Sequence, residues 1–199
     1  MFTGIIESIA KIQSSESKGN SLYLSIELPE NWEIKAGDSI ATNGVCLTVK
    51  EVKQGLWRTE LMLETLSKTT FGQAIPNQVN LERAMLAGGR LDGHFVLGHV
   101  DSTGEIIGKE KKGESLEIII KYSLEFSALV VSKGSITVDG ISFTVVDVKD
   151  DWFSINLVGY TIEHTTLAQK KTGEKVNLEF DILAKYITKY VSTSSKGNL

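Results

Sequence analysis

Cysteine occurs once in the 199 residues, at Cys46, and proline only twice. A single cysteine excludes an intramolecular disulfide and any cysteine-built metal site. Apolar runs stop at four or five residues, far short of the roughly 18 that span a bilayer, so no membrane partner is expected. The opening Met1-Phe2-Thr3-Gly4-Ile5-Ile6-Glu7 lacks the basic flank and long apolar stretch of a secretory signal. Neither sign of charge dominates: 21 basic against 25 acidic residues leave a net charge of −4. The one basic cluster, Lys109-Glu110-Lys111-Lys112, reads as a turn, and no basic stripe predicts a nucleic-acid partner. What is present, 41% apolar and 23% charged residues, suffices for one large or two small cores. These features predict a cytoplasmic globular protein.

The chain repeats itself once. Asn43-Gly44-Val45-Cys46-Leu47-Thr48-Val49 returns as Asp139-Gly140-Ile141-Ser142-Phe143-Thr144-Val145. Thr69-Thr70-Phe71 returns as Thr165-Thr166-Leu167, and Val79-Asn80-Leu81-Glu82 returns unchanged as Val176-Asn177-Leu178-Glu179. Gly4-Ile5-Ile6-Glu7 aligns with Gly98-His99-Val100-Asp101, completing four segments in the same order with an offset between 94 and 97. That period exceeds the roughly 20–50 residues of a solenoid repeat. It marks one small domain, duplicated.

Each copy reads as β-structure. Leu22, Leu24, Ile26 and Leu28 alternate along Ser21 to Leu28, and Leu116 to Tyr122 does likewise. Asn43-Gly44, Gln54-Gly55, Lys112-Gly113, Asp139-Gly140 and similar pairs punctuate the chain as turns. Short strands with glycine-rich turns suggest a small barrel or sandwich per copy. Ala87 to Gly93 reads as the joint between copies. Ile182, Leu183, Tyr186, Ile187, Tyr190 and Val191 share one helical face within Asp181 to Val191, with Lys185 and Lys189 opposite. The expected division is 1–95 and 96–180 for the two domains, 181–191 for the helix and 192–199 for a flexible tail.

Two places could carry chemistry. Val45, Leu47 and Val49 take the core face, which turns Cys46 and Thr48 outward, as Ser142 and Thr144 are turned outward in the second copy. These small groups are either the solvated face of an amphipathic strand or room left beside a backbone for a flat polar ligand. The run Asp92 to Asp101 holds His94 and His99, each preceded by glycine. A zinc site is excluded, because five residues along a strand place the rings on opposite faces and no third ligand follows a zinc spacing. The pair is therefore a surface or capping feature, or one histidine works in acid–base chemistry near neutrality. No glycine-rich dinucleotide fingerprint is present.

Taken together, Met1-Phe2-Thr3-Gly4-Ile5-Ile6, Asn43 to Val49, Gly93 to Asp101 and Lys133-Gly134-Ser135-Ile136-Thr137-Val138-Asp139-Gly140 resemble the riboflavin synthase family, and the resemblance runs over essentially residues 1 to 190. It implies an all-β fold of two tandem six-stranded Greek-key barrels from an internal duplication, with a C-terminal α-helix that holds a homotrimer. It implies a transferase that moves a four-carbon unit between two molecules of 6,7-dimethyl-8-ribityllumazine. The products are riboflavin and 5-amino-6-(D-ribitylamino)uracil, the last step of riboflavin biosynthesis. No cofactor and no metal are implied, and association with lumazine synthase is left open. In the family the pockets meet across subunits, first barrel against second.

Carried over by residue, the resemblance gives the first barrel Gly4, Ile5, Ile6, Ser39, Cys46, Leu47, Thr48 and the run Glu60, Leu61, Met62, Leu63, Glu64, Thr65. It gives the second barrel Gly98, His99, Val100, Lys133, Ser142, Phe143, Thr144 and the run Asn156, Leu157, Val158, Gly159, Tyr160, Thr161. His99, Ser39 and Cys46 form the expected catalytic set. Val158-Gly159-Tyr160-Thr161 departs from the family pattern of Ile-Pro, then His or Glu, then Thr, which is expected to loosen a strand end. A non-catalytic lumazine- or flavin-binding relative is the competing reading; the presence of Ser39, Cys46 and His99 favours the enzyme. An oligonucleotide-binding barrel is opposed by charge and by the lack of a basic, aromatic-rich face.

Overall fold

The computed structural model describes residues 1–194. Alternation and tight turns set its strands. β1 (Ser8–Lys18) and β2 (Ser21–Glu27) form a long hairpin, with Leu22, Leu24 and Ile26 turned inward. β3 (Ser39–Thr42) and β4 (Val45–Thr48) turn at Asn43-Gly44, where φ of 45° and 79° fits the primed turns that match strand twist. β5 (Glu51–Lys53), β6 (Leu56–Leu61), the short helix α1 (Leu63–Lys68) and β7 (Gln78–Arg83) complete the first half. The second half repeats it: β8 (Ser102–Lys112), β9 (Ser115–Lys121), β10 (Ser135–Val138), β11 (Ile141–Thr144), β12 (Val148–Lys149), β13 (Trp152–Leu157), α2 (Gly159–His164) and β14 (Lys175–Phe180).

Both sheets are antiparallel, with orders β4-β3-β7-β1-β2-β6-β5 and β11-β10-β14-β8-β9-β13-β12. The two ends of each order are consecutive pieces of chain. Val49 donates to Asp38 and Lys50 to Arg58, both at 2.8 Å, so one bent segment joins the edges of the first sheet. Val145 to Gly134 and Val146 to Ser154 do the same in the second. Each half is therefore a Greek-key barrel of seven strand segments, in which β4–β5 and β11–β12 each serve as one bent strand. The Lys109–Lys112 stretch is not a turn. It is the outer end of β8, paired with Ser115–Ile118 because Gly113, at φ 65°, closes the hairpin beyond it.

Each barrel has its own core, around Trp57, Leu24, Ile40 and Leu81 in the first and Ile118, Phe153, Leu178 and Phe180 in the second. The barrels meet through polar backbone: the Gly44 and Gly140 turns touch each other, leaving no room for a Cβ at either. Asp181 caps α3 (Ile182–Ser194), its Oδ1 accepting the Leu183 amide at 2.9 Å. The helix continues through Ser192–Ser194, expected as tail, where Ser192 and Thr193 hydroxyls donate to the Lys189 carbonyl. Residues 195–199 of that expected tail lie outside the described residues. No residue of α3 is buried. Among the described residues no helix is long and apolar enough to cross a membrane.

Candidate functional site

The lead-in segments of the two repeats are exchanged. Gly4 accepts the Ser142 amide at 2.8 Å, and Gly98 accepts the Cys46 amide at 2.9 Å. A Cβ at Gly4 would lie 2.6 Å from that of Ser142, and one at Gly98 2.6 Å from that of Cys46; both glycines have φ near 80°. Only glycine combines that backbone with that approach. Ile6 is accordingly buried in the second barrel's core, and Val100 packs against the first. This corrects the grouping implied by sequence for Gly4 and Ile6, which belong with Ser142, Phe143 and Thr144, and for Gly98 and Val100, which belong with Cys46, Leu47 and Thr48; Ile5 stays with the first barrel, where it lines a cleft with Ser39. Strand register alone does not reveal it, because a segment preceding a barrel is free to cross to its neighbour.

Two buried carboxylates hold the exchanged segments. Glu82 on β7 accepts the Thr3 amide at 2.6 Å, the Thr3 hydroxyl at 2.7 Å and the Gly4 amide at 2.9 Å. Glu179 on β14 accepts the Leu97 and Gly98 amides at 2.8 and 2.9 Å. Burial pushes both carboxyl pKa values up, and the amide donors pull them back. The sequence reading missed both residues, although a glutamate returning unchanged within an otherwise core-forming Val-Asn-Leu-Glu was a signal.

Each half-site has the same parts: a lead-in backbone, two outward side chains on β4 or β11, and the start of a short helix. On the first side these are Gly98 and exposed His99, Cys46 and Thr48, and Met62 and Leu63 at 67% and 61% exposure. On the second they are Gly4, Ser142 and Thr144, and Val158 and Tyr160 at 59% and 66%. Leu47, Leu61, Phe143 and Leu157 point into the barrel cores, so of these only backbone is available to a ligand. Gly159 is not a loosened strand end but the first residue of α2, and Tyr160 stacks on His164 with ring centroids 4.0 Å apart. Ser39 pairs cross-strand with Thr48 and lines a cleft of about 640 Å³ with Ile5, Arg83 and Met85. Lys133, at φ 66°, donates its amide to Val145, beside Thr144. His94 and His99 lie on a loop, not a strand, and only His94 is buried.

The half-sites differ in charge. Glu60 on β6 pairs with Lys50, whose ammonium, with the Ser21 and Tyr23 hydroxyls, holds its carboxyl down to about 2. The matching positions on the second side are Asn156 and Val146. Among the described residues no group of three or more His, Cys, Asp or Glu side chains is placed to hold a metal ion.

The lumazine binding domain family matches residues 3–84 and again 97–181. Riboflavin synthase from Actinobacillus pleuropneumoniae is 44% identical over 193 residues, covering 96% of this chain and 90% of that protein. The Mycobacterium tuberculosis riboflavin synthase is 42% identical, covering 98% of this chain and all of that one. The chain belongs to the riboflavin synthase family. A crystal structure of LumP complexed with riboflavin shares the fold, with a TM-score of 0.84 over 90% of this chain and 99% of that one at 22% identity. A complex of LumP with 6,7-dimethyl-8-(1'-D-ribityl) lumazine gives 0.81 at 21%. The two matched stretches of this riboflavin synthase family member coincide with its two repeats.

Proposed function

We propose that this chain catalyses the riboflavin synthase reaction, with each of its two half-sites holding one molecule of 6,7-dimethyl-8-ribityllumazine. The observation that carries the reading is the exchange itself: two pseudo-equivalent shelves in a chain whose relatives act under that name. A reaction between two copies of one compound calls for two similar shelves. It balances without an outside oxidant, since a four-carbon unit leaves one lumazine and joins the other. One product is the enlarged riboflavin ring and the other the diaminouracil.

Most of the acceleration would come from holding the two ring systems in register. His99, exposed beside the Cys46 strand, is assigned to proton transfer at the acidic C7 methyl, with Ser39 and Cys46 positioning the first-side lumazine. Residues 1–95 and 96–180 are assigned as the two binding domains. A homotrimer, with the first half-site of one chain facing the second of its neighbour, is supported by Leu183, Tyr186, Ile187, Tyr190 and Val191, which are 56–72% exposed on α3. Purified protein mixed with the lumazine alone tests the reading. Riboflavin formation is expected; a stable fluorescent complex without turnover would make the chain a binder instead.

A further inference from the structure

The equivalence of the half-sites fails beside Cys46 and Ser142. On the first side Phe2, Ala41 and Val96 form a small buried apolar cluster, with Cys46 and Ala84 packed against it. Ala41 pairs cross-strand with Cys46. On the second side the corresponding partner of Ser142 is Thr137. His94 joins the two: Nδ1 lies 2.7 Å from Ser142 Oγ and Nε2 3.1 Å from Thr137 Oγ1. His94 and Thr137 are 9% and 1% exposed, whereas Ser142 is half-buried on the outward face of β11.

We infer that His94 is a positioning residue that sets the direction of the Ser142 hydroxyl toward the ring bound on the second half-site, an assignment that rests on the lumazine reading above. A neutral imidazole has one donor and one acceptor nitrogen. Burial holds the His94 pKa below its ordinary range, with the Asp181 carboxylate pulling the other way. Glu179, cross-strand from Thr137, keeps its carboxylate on the Leu97 and Gly98 amides. The chain from Thr137 through His94 to Ser142 can run in two directions. With hydrogen on Nδ1, His94 donates to Ser142 Oγ and leaves that hydroxyl free to donate to the ligand; Thr137 then donates to Nε2. With hydrogen on Nε2, Ser142 donates inward and offers only lone pairs outward. The second half-site thus presents a hydroxyl of selectable sense at constant charge, and the first presents a thiol against carbon.

Asparagine carries a polar atom near the position of Nδ1, and glutamine one near that of Nε2. His94→Gln is therefore expected to lose the Ser142 bond, and His94→Asn to restore most of the rate lost by it. His94→Gln and Ser142→Ala should lower kcat by a similar factor, on the order of 10-fold. Their combination should be no slower than either alone. Equal losses in the Asn and Gln variants, or a fully additive double variant, overturn the assignment, because a merely structural histidine behaves that way. Nitrogen-15 spectra of the imidazole supply a readout that needs no turnover: Nδ1 should shift in Ser142→Ala and Nε2 in Thr137→Val, and unmoved resonances overturn it too. Wild-type protein that neither binds nor converts the lumazine would remove the underlying reading, a result separable from any variant pattern.

Discussion

Asn80 and Asn177 each spend their side chain on the other's barrel. Asn80 Oδ1 accepts the Thr166 amide at 2.9 Å and its Nδ2 donates to the Asp139 carbonyl at 3.0 Å. Asn177 Oδ1 accepts the Thr70 amide and its Nδ2 donates to the Asn43 carbonyl, both at 2.8 Å. Both residues are 1% exposed. The contact between the repeats is thus stitched by two amides, each satisfied in both senses.

Asn80→Ala should destabilise the protein by about 2–3 kcal/mol, since it leaves a buried donor and a buried acceptor without partners. Asn177→Ala should cost a similar amount. Urea unfolding measures both, and a loss under about 0.5 kcal/mol in either would show that the seam does not depend on these amides.

The buried carboxyls should each add stability as pH falls from neutral, whereas buried His94, held below its ordinary range, works against them as pH falls through that range. Burial pushes the Asp139, Glu82 and Glu179 carboxyls above their ordinary values, although Lys170, with its Nζ 3.3 Å from Asp139 Oδ2, pulls Asp139 back. A raised carboxyl favours the folded state while protonated, and that contribution is lost as pH rises through the folded value. Glu60 acts in the opposite sense, losing its contribution only as pH falls toward about 2. Asp139→Asn reproduces Asn43, whose turn has the same φ of 45° and whose Oδ1 accepts the matching strand amide. It should flatten the pH dependence seen in urea midpoints between neutral and mildly acidic buffer. An unchanged slope would remove Asp139 as a source.

Deleting the chain from Asp181 onward should give monomers with little activity, because α3 exposes its apolar face and burying it between chains offsets that cost. Sedimentation of a deletion variant that stays trimeric would sink the assignment.

Cys46→Ala and Ser142→Ala should differ. Both remove a side chain facing a bound ring, but the first removes a thiol already packed on carbon and is expected to lower kcat about 3-fold, whereas the second also breaks a hydrogen-bonded chain and should cost on the order of 10-fold. Indistinguishable kinetics would argue that the half-sites work alike.

His99→Gln should slow turnover about 10-fold to 100-fold while leaving lumazine binding intact. Its counterpart in the repeat is Ile5, so the imidazole occurs in one copy only. Wild-type kcat in the variant would make His99 a structural residue.

The repeat, the alternating strands, the Asn43-Gly44 and Asp139-Gly140 turns and the C-terminal helix were legible because each is encoded within a few residues. The outward pairing of Cys46 with Thr48 and of Ser142 with Thr144 was legible for the same reason. The side on which Gly4 and Gly98 settle was not, since that choice is made by Glu82 and Glu179 through contacts about eighty residues away in sequence. His94 likewise read only as a surface or capping histidine or as an acid–base one, because Thr137 and Ser142, 43 and 48 residues further on, carry its burial. Helix α2 was hidden by its glycine start, which propensity disfavours and Val158 and the strand before it impose.

The exchange of lead-in segments bears on how such a chain could arise. A polypeptide holding one repeat would lack the backbone that covers its own Cys46 or Ser142 position, and its leading glycine would find no shelf within the same molecule. Two identical copies, each lending its leader to the other, would complete both shelves at once. Fusion into one chain makes that mutual loan permanent, and it frees the two shelves to diverge into a thiol set on carbon and a hydroxyl tied to a histidine.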